Sequence, residues 1–102
     1  MRDTLAALPN IRIVLGEPFL LPVGKYQASY AATLAEVKKR QDVVARLAAK
    51  HHLPLIRYQA IFDRACARAP AAHWSWDGVH PHYAGHGLMA EAWLETMGAL
   101  AP

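Results

Sequence analysis

The chain has 102 residues, 54% hydrophobic and 19% charged, with 11 Lys and Arg against 8 Asp and Glu for a net charge of +3. That length allows one small domain at most, residues 1–102 as a single unit, and so apolar a composition points to faces meant to be covered by something else. A lone cysteine, Cys66, excludes an internal disulfide, no apolar run approaches the ~18 residues of a membrane span, and Met1-Arg2-Asp3-Thr4 does not open a signal peptide, which leaves the compartment unassigned.

A short Leu/Ala segment runs to Pro9, and Ile11-Arg12-Ile13-Val14-Leu15 is then a β-branched run of strand length that stops at Gly16. It reads as a buried parallel strand. Glu17 to Gly24 is a loop, because Pro18, Pro22 and the flanking glycines interrupt any ladder. Loops at this end of parallel strands are where α/β proteins place ligands, but Glu17, Pro18 and Phe19 suit shaping of the loop better than catalysis.

From Tyr26 to Lys50 the apolar Leu34, Val37, Val44, Leu47 and Ala48 recur at helical spacing, the pattern of a long amphipathic helix. Its basic residues Lys38, Lys39, Arg40, Arg46 and Lys50 form a solvated face. Nucleic-acid binding would ask for aromatic or groove-reading partners beside them, and the aromatics lie elsewhere. His51-His52 ends the helix, where cationic side chains complement the dipole.

Leu55-Ile56-Arg57-Tyr58 is a second short strand, so strand, helix and strand follow in the order of a right-handed crossover unit. Ala60 to Arg68 is a shorter helix with Cys66 packed within it, residues 70–82 form a loop rich in Pro, Trp and His, and Tyr83 to Leu100 is a closing helix. The whole reads as α/β, with about two strands and three helices. Two parallel strands are too few for a stable open sheet, which usually has about four to six. Further strands are expected from residues outside this sequence or from another chain, and an uncovered strand edge would favour self-association.

The chemistry concentrates at Asp77-Gly78-Val79-His80, followed by Pro81 and then Gly85-His86. Histidine, with an ordinary pKa of about 6.5, is the usual general base near neutral pH. A carboxylate three residues earlier can hold its ring and balance its charge. Gly78 permits a tight backbone, and Pro81 suits the first turn of the helix that follows. Such a pair is the base-and-orienter half of a hydrolytic triad, which also needs a nucleophile and oxyanion donors. Taken alone, Asp77 could equally be a helix cap beside a surface histidine.

The run Trp76 to Trp93, Trp-Asp-Gly-Val-His-Pro-His-Tyr-Ala-Gly-His-Gly-Leu-Met-Ala-Glu-Ala-Trp, resembles the C-terminal block of the SGNH hydrolases, also called GDSL esterases and lipases. Val14 to Phe19 is similar to the strand and loop that precede that block. The resemblance takes in nearly the whole chain, but only the C-terminal half of a family domain. It implies a three-layer α/β/α, flavodoxin-like parallel sheet, present here as a partial domain. The implied reaction is ester hydrolysis by a serine that histidine activates, with His80 as the base, Asp77 as its carboxylate partner, no cofactor, and a small-molecule or carbohydrate ester as substrate.

The family's Gly-Asp-Ser and Gly-x-Asn-Asp blocks have no counterpart in the sequence. Ser29 and Ser75 are the only serines, and neither has the flanking residues of the nucleophile. Trp74 and Trp76 could line an acyl or sugar pocket, or simply pack the loop against the body. His80, His82 and His86 lie at spacings that invite a zinc ion, but such a site usually adds Cys or a carboxylate and the family works without metal. A different class of reading is a non-catalytic α/β remnant that serves binding or assembly.

Overall fold

Two strands lie side by side in parallel, β1 (Leu15–Gly16) against β2 (Leu55–Ile56), with Leu15 opposite Leu55 and Gly16 opposite Ile56. The computed structural model describes residues 2–100. The ladder is carried by the Leu15 amide donating to Pro54 O and the Glu17 amide donating to Ile56 O, both at 3.0 Å. Between the strands runs the crossover helix α2 (Tyr26–His51), and after them come α3 (Tyr58–Ala65), the single-turn α4 (Ala71–Trp74) and α5 (Tyr83–Leu100); a short α1 (Arg2–Ala7) precedes β1. The strand-helix-strand order and the three main helices agree with the sequence reading.

Three boundaries differ from it. The expected strand over Ile11–Leu15 is paired only at its end, and Ile11 is exposed, because an isolated pair of strands offers a ladder only where the two run alongside each other. Arg57 and Tyr58 leave the second strand to open α3, which ends at Ala65 rather than Arg68. The expected loop over 70–82 contains α4, started by Pro70 with its fixed φ of −56°.

Helix α2 ends in a Schellman turn. His52 takes the left-handed conformation at φ 55°, its amide donates to Ala49 O (3.3 Å), and the Leu53 amide reaches back to Ala48 O (2.8 Å). Pro54 then bars any continuation of the helix.

The core is small. Leu21, Val23, Phe62, Ala65 and Trp74 are buried together, and Phe19, Tyr58, Leu88 and Met89 pack around them. Of α2 only Ala48 is buried among the described residues, and Val43 and Leu47 are exposed. The radius of gyration of 15.1 Å exceeds the ~13 Å of a compact chain of this length, because the 26-residue α2 reaches beyond the core it joins.

The loop after β1 is pinned to α3 by side-chain amides. The Gln59 amide exchanges two hydrogen bonds with the Leu20 backbone, accepting from its N–H at 2.8 Å and donating to its carbonyl at 3.0 Å. Buried Glu17 accepts the Gln59 backbone N–H at 3.0 Å, so it satisfies one of the free amides at the start of α3. Gln41 from α2 donates to Pro18 O at 2.8 Å. Glu17, Pro18 and Phe19 therefore shape the loop, as their position after the strand suggested.

Candidate active site

The residues from Ser75 to Pro81 form a closed turn that begins and ends in an antiparallel bridge between Ser75 and Pro81. The His82 amide donating to Trp74 O at 2.8 Å fastens it. Ser75 is fully buried beneath it. Its hydroxyl donates to His80 O at 2.7 Å and accepts the Gly78 N–H at 2.8 Å, so one side chain ties both ends of the turn. Pro81 thus serves the bridge, and α5 starts two residues later, a correction to the reading that placed it in the helix's first turn.

Gly78 holds φ 95°, and a Cβ there would stand 2.6 Å from Leu21 O. The same glycine accepts the Leu21 amide at 2.9 Å. Only a residue without a side chain can bring this turn so close to the loop after β1. The two loops flanking the site are therefore joined backbone to backbone.

Within the turn the Asp77 carboxylate is fully used. Oδ1 accepts the Val79 and His80 amides at 2.9 and 2.7 Å, and Oδ2 lies 2.6 Å from His80 Nδ1. Asp77 therefore caps its own turn rather than helix α5. Partial burial alone would raise its pKa, but the hydrogen bonds from the His80 ring and from the Val79 and His80 amides outweigh that and hold it at about 2. The carboxylate is ionised at any pH where His80 could act.

With Nδ1 turned to Asp77, the other ring nitrogen, Nε2, points away from the carboxylate on a side chain that is two-thirds exposed. Trp76 lies over the ring, with centroids 5.5 Å apart and planes 16° from parallel. Trp76 is exposed, whereas Trp74 is buried and its indole N–H donates to Ala65 O and Ala69 O at 3.1 Å. The two tryptophans expected to line a pocket are thus separated: Trp76 stands beside His80, and Trp74 belongs to the core. His80 and Trp76 both stand exposed at the surface, and a groove of about 320 Å³ walled by Arg57, Ala60, Arg64 and Glu95 lies apart from them.

Gly85 explains the rest of the motif. A Cβ at this position would meet Trp74 O at 2.3 Å and Pro81 at 2.8 Å, so α5 can cross α4 and the turn at this distance only through a glycine. His82 and His86 are exposed, and among the described residues no three potential metal ligands gather. Sequence reading passed over two residues that organise the site. Ser75 carried a usable signal, a serine three residues before a glycine amide. Gln59 carried none, since the Leu20 backbone that it pins lies 39 residues away.

No protein-family model matches the chain, and neither does any curated protein. Solved structures do. A GDSL-like lipase from Parabacteroides merdae is 34% identical with a TM-score of 0.82, over 95% of this chain and 44% of the lipase. LAE5, an α/β hydrolase from the metagenome of Lake Arreo in Spain, is 27% identical with a TM-score of 0.76, over 99% and 45%. An acetylxylan esterase from Geobacillus stearothermophilus is 28% identical with a TM-score of 0.72, over 95% and 43%. It has also been solved as catalytic mutants with alanine in place of a serine and of a histidine. The chain spans less than half the length of each of these proteins. Nearly all of it follows their fold, and it resembles the SGNH hydrolases, the GDSL-type esterases and lipases, over a span consistent with the C-terminal half of their α/β domain.

Proposed function

We propose that this chain carries the proton-handling half of a serine ester hydrolase, with His80 as general base and Asp77 as its orienting carboxylate. The observation that carries the reading is the single turn in which Asp77 binds both the ring and the amide of His80 and leaves Nε2 outward. In that arrangement Nε2 takes the proton from a serine hydroxyl as its oxygen attacks the ester carbonyl. The imidazolium so formed is balanced by ionised Asp77, and its proton then passes to the departing alkoxide.

The serine comes from outside these residues. Ser75 is buried with its hydroxyl engaged at both ends of the turn. Ser29 lies on α2, where its hydroxyl accepts a hydrogen bond from Thr33. Nucleophile and oxyanion donors are assigned to a complementary segment, the part of the domain that this chain does not span. Short acyl esters, acetylated carbohydrates among them, are the proposed substrates. A flat indole at Trp76 beside the base suits a sugar ring, and one of the similar proteins is an acetylxylan esterase.

Mixing the chain with the N-terminal portion of the Parabacteroides merdae lipase and following p-nitrophenyl acetate tests this. Hydrolysis that depends on both pieces and disappears with His80→Ala is expected. Equal hydrolysis with the Ala variant, in a complex shown to assemble, overturns the assignment.

A second reading is a non-catalytic assembly module, favoured by the exposed Ile11, Trp93 and Leu94 and by the two-stranded sheet. Size-exclusion at several concentrations separates it. Concentration-dependent self-association without reconstituted turnover would favour assembly over catalysis.

A further inference from the structure

Exposed aromatic side chains ordinarily sample several rotamers, and His80 is two-thirds exposed with only its Nδ1 edge held, by Asp77. That bond fixes where one ring nitrogen lies, but the ring can still pivot about it. The indole of Trp76 lies stacked beside the ring, its centroid 5.5 Å away and its plane within 16° of parallel. Offset-stacked aromatic pairs attract beyond their shared apolar area. The backbone around them is tied down: buried Ser75 hydrogen-bonds the Gly78 N–H between the two rings and the His80 carbonyl, and the Gly78 carbonyl accepts the Leu21 amide. Among the described residues Trp76 makes no side-chain hydrogen bond and stands outside the core cluster, whereas Trp74, two residues earlier, donates to Ala65 O and Ala69 O and belongs to that cluster.

We propose that Trp76 is a positioning residue for His80, its stacked indole holding the imidazole in the plane where Nδ1 donates to Asp77 and Nε2 is presented outward. The inference rests on the reading of His80 as base only for its consequence in catalysis; the positioning itself is a property of the isolated turn. Among the described residues, Asp77 is the one charged group that pairs with His80.

The experiment uses the 102-residue chain labelled with nitrogen-15, at a pH where imidazole is neutral, and reads the ring resonances of His80. Wild type is expected to show the form protonated at Nδ1, with a downfield, slowly exchanging Nδ1 proton. Trp76→Ala is expected to lose that proton signal and move the ring nitrogens toward the averaged values of a mobile imidazole. Trp76→Phe, which keeps an aromatic face, is expected to restore most of both. Spectra of Trp76→Ala that match wild type overturn the proposal. If the Ala variant does not fold by circular dichroism, Trp76→Leu supplies the same comparison, with bulk kept and the aromatic face removed. Its loss of the Nδ1 signal upholds the proposal, and its retention overturns it. Because no turnover is measured, an inactive mixture of the two halves would sink the base assignment while leaving this result standing.

Discussion

The carboxylate of Asp77 binds His80 twice, at the ring through Nδ1 (2.6 Å) and at the backbone through its amide (2.7 Å). Residue 77 therefore sets both the path of the chain and the orientation of the imidazole, so one substitution should disturb stability and chemistry together.

The stability effect has a defined pH window. The folded pKa of Asp77, about 2, lies below its ordinary 3.8. A depressed carboxylate contributes stability that is fully present above the unfolded pKa and is lost as pH falls through the folded one. The difference in urea midpoint between wild type and Asp77→Asn should be constant above about pH 4.5, then shrink toward zero between about 4 and 2. A difference that persists unchanged at pH 2 would contradict the hydrogen-bonding pattern described.

The chemical effect follows from the tautomer. Asn at position 77 can donate an N–H to Nδ1, which turns the imidazole to the wrong form, and related triads lose on the order of 10⁴ in kcat from that exchange. In the mixture with the lipase N-terminal portion, Asp77→Asn is expected to lower kcat by about 10³–10⁴ with a smaller change in KM. A loss of less than tenfold would remove Asp77 from the mechanism.

The isolated chain should be inert. With the Ser75 hydroxyl buried and committed to the His80 carbonyl and the Gly78 amide, and with nucleophile and oxyanion donors assigned to another segment, only base and orienter remain, and a triad stripped of its nucleophile loses several orders of magnitude in rate. Stopped-flow traces with p-nitrophenyl acetate are expected to show no burst above an equal concentration of imidazole. A burst that His80→Ala abolishes would show that the nucleophile lies in these 102 residues after all.

Ser75→Ala should destabilise the chain by about 1–3 kcal/mol, the range for leaving buried partners unsatisfied. Two bonds go at once, the one to His80 O and the one from the Gly78 N–H. Chemical denaturation measures it. Ser75→Cys is expected to be milder in volume but to recover little of the hydrogen bonding, since a thiol is a weak donor.

Gly85→Ala should cost more than an ordinary helix substitution, which would by itself favour Ala by about 1 kcal/mol. The added methyl would meet the Trp74 carbonyl and the Pro81 ring well inside contact distance. Relieving that overlap costs roughly 1–3 kcal/mol in a packed region. Gly87, with open space around its Cβ position, is the control: Gly87→Ala is expected to be neutral or stabilising in the same denaturation experiment.

The candidate dyad was legible in the sequence because every bond that defines it joins residues 77 to 80, within one turn of chain. The long helices α2 and α5 were legible for a related reason, since their hydrogen bonds are local and their periodicity is written residue by residue. Tertiary structure alone decided the rest. Strand length depended on what each backbone group found alongside it, and Ile11–Leu15 shrank to a pairing at its last residue. The parting of Trp74 from Trp76 depended on which side of the turn faced Phe62, and the anchoring of the first loop depended on Gln59 meeting Leu20 across 39 residues. Composition and spacing carry local bonding, whereas burial is a property of surfaces brought together from distant parts of the chain, and no single segment contains it.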